Sequence, residues 1–198
     1  SWDLCVGNDG TFRFLETVLE EVIELFPYKY IHIGGDEAVK KDWEVCVNCQ
    51  RRMKEEGMAH KDELQGYLVR HIEKFLRERG KTVIGWDEIV ETGLPEQAVV
   101  MSWRGTPGGI KASSEGHDVI MAPNSYVYLD YYQDLIKKEP KAVGHMQSLR
   151  HVYKFDPVEG IAPEHHHHIL GLQGNLWCEL IPYAAHAEYM LYPRTFAI

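Results

Sequence analysis

Two acids stand side by side at Asp36 and Glu37, immediately after Gly34 and Gly35. Adjacent carboxylates are costly to bury, so their placement calls for a reason. The two glycines let the backbone turn sharply and send both side chains into one pocket. A like charge alongside raises the pKa of one partner and keeps that group protonated near neutrality. The result is a proton donor beside a carboxylate, the pair that glycoside cleavage needs. The same dipeptide also fits a metal site, or the acidic first turn of a helix. Position alone leaves these readings level.

Aromatic residues shift the balance. Trp86, Trp103 and Trp177 each lie at or just beyond a short apolar run. Sugars present C–H faces that stack on indole rings, and an N-acetyl group presents a methyl. A single tryptophan there is better read as core; three in step with an acid pair point to a sugar site. Trp2 and Trp43 lack that placement and read as structural. In Tyr128-Leu129-Asp130, alternation puts the phenol and the carboxylate on one side. Together they can hold an amide carbonyl and sugar hydroxyls. Glu179 is a second hydroxyl acceptor, and Arg104 reads more simply as a salt-bridge partner. His32 is either an orienting group behind the acids or a satisfied core histidine.

These residues need elements to position them. Phe14, Leu15, Val18, Leu19, Val22, Ile23 and Phe26 recur at helical spacing, predicting a helix over Thr11 to Phe26 capped by Asp9 or Thr11 and ended by Pro27. Tyr28 to Ile33 reads as a strand leading into the acid pair. A second helix is expected from Asp62 to Glu78, with Leu64, Tyr67, Leu68, His71, Ile72, Phe75 and Leu76 on its apolar face. Short apolar strands follow at Thr82 to Trp86, Ala98 to Trp103, Asp118 to Ala122 and Ile169 to Gly174. Helical pieces are expected at Gly108 to Glu115 and Ala184 to Phe196. Strands apolar on both faces and separated by helices mean βαβ units around a buried parallel sheet.

A doubly wound sheet and a (β/α)8 barrel both satisfy that pattern. Polar and aromatic residues gather at about five successive strand ends, which a barrel brings into one ring and an open sheet spreads along a line. The barrel is the better reading. A full barrel takes eight strands and typically about 250 residues. The 198 residues here are therefore expected to be strands four to eight of one catalytic barrel domain, with the first three βα units absent. Two open edges then invite completion by a missing segment or self-association with another copy.

Composition narrows the partners. The chain is 44% hydrophobic and 26% charged, with net charge −9, so it is globular and repels phosphate backbones. No nucleic acid is expected, and no apolar run is long enough to span a bilayer. Four cysteines are too few for a disulfide scaffold. Cys46-Val47-Asn48-Cys49 follows a charged stretch rather than a strand and has no second pair, so a structural or incidental role is the simpler reading. His165 to His168 reads as an exposed loop ahead of the metal site that its composition also allows.

His32-Ile33-Gly34-Gly35-Asp36-Glu37 resembles the H-x-G-G-D-E signature of the family-twenty glycoside hydrolases, the β-N-acetylhexosaminidases. Gly85 to Glu88, Ser102 to Gly105, Tyr128 to Asp130 and Gln173 to Glu179 look like that family's later motifs, in order. Leu4 to Asn8 and Glu188 to Arg194 match as well, so the likeness covers essentially the whole chain. It implies exo-hydrolysis of terminal N-acetyl-β-D-hexosamine from oligosaccharides or glycoconjugates, with retention and without an enzyme nucleophile. By resemblance, Glu37 is general acid and then base, Asp36 orients the acetamido N–H, and Tyr128 binds the acetamido oxygen. Trp86, Trp103 and Trp177 wall the pocket, while Asp130 and Glu179 hold hydroxyls. No metal or organic cofactor is implied. An extracytoplasmic location is expected: periplasmic, secreted or lysosomal. The family's sugar-binding arginine on the first barrel strand has no counterpart here. Two rivals remain at this level: a carbohydrate-binding module without turnover, and a metal-binding protein using Cys46, Cys49 and the histidine tract.

Overall fold

The computed structural model describes residues 3–198, so Trp2 lies outside the described residues. The chain divides into two compact units, Ser1–Val100 and Met101–Ile198.

The first unit opens with α1 (Asp9–Leu25). The cap is Asn8, whose side chain accepts the Gly10 N–H at 2.9 Å, rather than Asp9 or Thr11. Satisfying an orphan amide one residue earlier starts the helix earlier. β1 (Tyr30–His32) is shorter than expected, and Tyr28 is exposed. A helix that periodicity did not reveal, α2 (Val47–Glu55), follows a 3-10 turn at Lys41–Glu44. Its one buried residue is Cys49, too sparse an apolar pattern to read as a helical stripe. α3 (Glu63–Arg77) buries Leu64, Val69, Ile72, Phe75 and Leu76. β2 (Thr82–Trp86) matches its expected bounds and runs parallel to β1, with His32 opposite Ile84.

The apolar face of α1 is only partly covered: Phe14 is 60% exposed, Val18 42% and Phe26 53%, while Leu15, Leu19, Val22 and Ile23 are half-buried. α1 meets α3 through Phe12, edge-on to Tyr67 at 5.8 Å and to His71 at 4.6 Å. Glu16 with His71 and Glu20 with Arg79 hold the same flank. The apolar stripe is real, and Leu15, Leu19 and Val22 share an apolar cavity with Leu68 and Ile72 of α3 rather than packing shut against them.

β3 (Val99–Ser102) crosses the division between the units and is buried throughout. In the second unit come α4 (Pro107–Ser114), β4 (Val119–Met121), β5 (Tyr131–Tyr132), β6 (Val143–Met146), α5 (Leu149–Tyr153), β7 (Ile169–Leu172) and α6 (Ala184–Leu191). β4 and β7 pair in parallel, with Met121 opposite Leu172. β5 and β6 form a separate parallel ribbon. α4 lies flush on β4: a Cβ on Gly109 would meet Met121 Sδ at 2.6 Å. α6 stops at Leu191 rather than near Phe196, because Pro193 cannot extend it. Among the described residues, no helix is long and apolar enough to cross a membrane.

Candidate active site

The acid pair sits on a turn held by three hydrogen bonds from β2 and α3 within the first unit. The Trp86 N–H donates to Gly34 O at 2.9 Å, and the Ile33 N–H to Ile84 O at 2.9 Å. Gln65, from α3, donates its side-chain amide to Gly35 O at 2.7 Å. Gly34 and Gly35 both adopt positive φ, +76° and +98°. A Cβ on Gly35 would lie 2.8 Å from Ile89 Cγ2, so glycine is needed for space as well as conformation. Glu37 itself is left-handed at φ 50°. A non-glycine residue there is strained, by about 1–3 kcal/mol, and such strain collects at functional sites.

His32 controls the same turn. Its Nδ1 accepts the Gly34 N–H at 3.0 Å, which places the neutral ring's proton on Nε2. One side of the ring packs against Trp86, with centroids 4.8 Å apart, and the other reaches solvent. Partial burial holds the imidazole below its ordinary pKa, outweighing the opposing pull of Asp36. His32 is thus exposed and bonded to the turn rather than enclosed in the core. Asp36 and Glu37 are both exposed within this unit. The turn faces them outward, where water hydrates both carboxylates. Asp87 and Glu88, by contrast, are buried just past β2, 2% and 8% exposed.

The second unit gathers the remaining candidates. Trp103 stacks along Tyr128 with centroids 6.4 Å apart and 16° between planes. Trp177 meets Tyr128 at 6.2 Å and 61°. Tyr128 is therefore flanked by both tryptophans of this unit. Loop backbone fixes it: Leu129 donates to Asn175 O at 2.6 Å, and Asn175 donates to Val127 O at 3.0 Å. Burial pushes the phenol up to about 12, although the Trp177 indole and Asn175 amide beside it pull the other way. Tyr128 is a hydrogen-bond donor at every physiological pH.

Asp130 is 4% exposed, and its Oδ1 has no hydrogen-bond partner among the described residues. Burial raises its pKa, opposed by the backbone N–H groups of Asp130 and Trp177. With Trp177 and Glu179 it lines a small recess. A buried, unpartnered carboxylate oxygen is costly unless a ligand hydroxyl completes it. Trp177 lies beside both Tyr128 and Asp130. Glu179, Trp177 and Arg104 are exposed, and Trp103 is half-buried.

Arg194 supports this loop in a way that only the fold reveals. It is fully buried and donates to Leu129 O, to Tyr131 O at 2.9 Å, to Gln147 O at 3.1 Å and to Met190 O at 2.7 Å. It clamps the backbone on either side of Asp130. The only signal was its place in the closing motif. Ser102 does similar work for Trp103: its hydroxyl donates to Gly105 O and accepts the Gly109 N–H, both at 2.9 Å. The histidine tract is a 3-10 turn rather than a loop, with His166 Nε2 at Ile161 O and His168 at Asp118. No metal-binding group forms from it among the described residues.

A family model described as glycosyl hydrolase family 20, catalytic domain, matches residues 1–198. A β-hexosaminidase of Porphyromonas gingivalis is 46% identical over 196 residues, covering 98% of this chain and 25% of that protein. A β-hexosaminidase of Vibrio furnissii is 39% identical over 194 residues, covering 96% of this chain and 32% of that protein. The crystal structure of an exo β-N-acetylglucosaminidase from Vibrio harveyi in complex with N-acetylglucosamine is similar at TM-score 0.88 and 32% identity, covering 98% of this chain and 31% of that one. The chain thus spans about a quarter to a third of the length of these relatives. The parallel α/β architecture and the order of its strand-end motifs agree with that match, and the chain belongs to glycosyl hydrolase family 20, within its catalytic domain.

Proposed function

We propose that the protein hydrolyses terminal N-acetyl-β-D-hexosamine from glycans by a retaining, substrate-assisted reaction. The observation that carries this reading is the pinned turn with Glu37 in a left-handed conformation directly after Asp36. The acetamido oxygen attacks the anomeric carbon, the glycosidic bond breaks, and its electron pair leaves on the departing oxygen. Glu37 protonates that oxygen. Asp36 accepts the acetamido N–H and stabilises the positive charge of the oxazolinium ring. Tyr128 donates to the acetamido oxygen while it is the nucleophile. Water then attacks the anomeric carbon, Glu37 takes its proton, and the ring opens back to the acetamide. Two inversions give retention. Adjacent acids suit this division of labour, since one serves the leaving group and the other the amide. Trp86, Trp103 and Trp177 offer stacking faces; Asp130 and Glu179 offer oxygens for hydroxyls.

The full-length protein tests this with a chromogenic N-acetylglucosaminide. Glu37→Gln lowers turnover by roughly 10²–10⁴-fold while binding persists; undiminished turnover refutes the acid assignment. An N-trifluoroacetyl substrate, whose carbonyl is a poorer nucleophile, reacts more slowly; equal rates exclude substrate assistance. The exposure of Asp36 and Glu37 favours a second reading for the chain by itself, sugar binding without turnover. Binding and turnover assays on both lengths separate the two.

The strands are inferred to be the fourth to eighth of a (β/α)8 barrel. The exposed stripe of α1 supports this, as does an apolar cavity of about 450 Å³ lined by Leu15, Leu19, Val22, Ile31 and Leu68. Location outside the cytoplasm is inferred from the resemblance, and cell fractionation tests it.

A further inference from the structure

The first unit contains a second cluster of chemically capable side chains that the hydrolase reading does not use. Cys46 caps α2 and Cys49 lies three residues on, so the C-x-x-C pair does open a helix, though not after a strand. Cys5 joins them from more than 40 residues away. Its Sγ is 3.6 Å from Cys46 Sγ and 3.8 Å from Cys49 Sγ, and the three sulfurs all lie within 4.8 Å of one another. Of the structural and incidental roles that the spacing leaves open for the pair, the third thiol favours the structural one, and only the fold brings it there.

Those spacings are informative. A tetrahedral cation with metal–sulfur bonds of about 2.3 Å sets its thiolates about 3.8 Å apart. A disulfide needs about 2.05 Å. Cys5 is held in place by its carbonyl, which accepts the Thr11 hydroxyl at 2.8 Å and the Asn8 N–H at 3.1 Å. Gly7 lets this loop close on α2: a Cβ there would fall 2.0 Å from Asn48 C and 2.3 Å from Cys49 N. Cys49 is fully buried in a cluster with Val6, Phe12, Trp43 and Leu64, while Cys5 and Cys46 are half-buried.

We propose that Cys5, Cys46 and Cys49 form a structural site for one thiophilic divalent cation of the Zn²⁺ class, with solvent as the fourth ligand on the exposed side. Binding releases three thiol protons to water and ties the Cys5 loop to α2. The site is independent of the hydrolase reading.

The test uses the full chain, reduced, stripped with a chelator, and titrated with Zn²⁺ alone or Co²⁺ alone. One equivalent per chain is expected, a higher melting temperature with Zn²⁺, and thiolate-to-cobalt charge-transfer absorption in the Co²⁺ form. Cys5→Ser and Cys46→Ser, at half-buried positions, weaken binding by more than the roughly 10–100-fold that loss of a ligand's hydrogen-bond partner costs. Their folding is checked by circular dichroism, and Cys178→Ser and His167→Gln keep full binding. The proposal is overturned if the folded, fully reduced chain takes up no stoichiometric metal. It is equally overturned if folded Cys5→Ser and Cys46→Ser bind as before, or if the protein isolated without reductant carries a disulfide within this trio.

Discussion

Tyr128 and His32 show how one residue's surroundings set its working state. Burial between Trp103 and Trp177 keeps Tyr128 a phenol up to about 12. The folded state then holds a proton that the unfolded chain gives up near 10.0, so stability falls as pH rises from about 10 to 12. Tyr131 and Tyr189 are raised as well, so alkaline absorbance titration is expected to show several late tyrosinates, and Tyr128→Phe to remove one of them with its share of the alkaline loss. In the full-length protein the same substitution is expected to lower kcat by roughly 10²–10³-fold, by analogy with loss of one oxyanion donor. For His32 the sign is reversed. Its pKa is lowered, so the unfolded chain binds the extra proton first, and stability is lost as pH falls below the ordinary histidine value. His32→Asn keeps an acceptor for the Gly34 N–H and removes the titration. Thermal melts across that window are expected to flatten in the variant.

At the scale of elements, the strands point their ends correctly because a few contacts leave no slack. Gly85 is one: a Cβ would lie 2.7 Å from Ile89 Cδ1 and 3.3 Å from Gly34 O. Gly85→Ala is therefore expected to cost about 1–3 kcal/mol by overpacking, read as a lower denaturation midpoint. The effect should reach the acid turn, since Gly34 O also receives the Trp86 N–H. Arg194 is the other. Its guanidinium serves four carbonyls around Asp130, and burial lowers its pKa to about 10 against the pull of Asp130 and Glu139. Arg194→Met removes a cation but strands those carbonyls, and about 2–5 kcal/mol of destabilisation is expected in urea unfolding.

For the molecule as a whole, the unsatisfied surface is apolar rather than charged. The stripe of α1 and the adjoining cavity expose Phe14, Val18, Leu15 and Leu19 to differing degrees. Contiguous apolar surface of this kind drives association. The chain alone is expected to self-associate in light scattering, and Phe14→Lys with Val18→Lys to return it to monomer without lowering its melting temperature. How readily this surface could be foreseen depended on scale. Helical spacing placed the stripe correctly on α1, but spacing names a face and not its partner. The strand bounds of β2 were read to the residue, because a buried parallel strand between a glycine stop and a polar motif leaves few options. α2 and the β5–β6 ribbon were missed, since neither carries an apolar period.

The residues by themselves determined the alternation of strands and helices, the strand-end chemistry, and the family, because all three are written in local pattern and motif order. Only the tertiary structure decided what stands next to what. It set Asp36 and Glu37 out in solvent on a pinned turn, placed Tyr128 between two indoles, and left one oxygen of Asp130 buried without a partner. It made Arg194 a clamp and drew Cys5 to Cys46 and Cys49. Each of these depends on contacts between residues distant in the chain, and the geometry of such contacts arises only when the chain closes on itself.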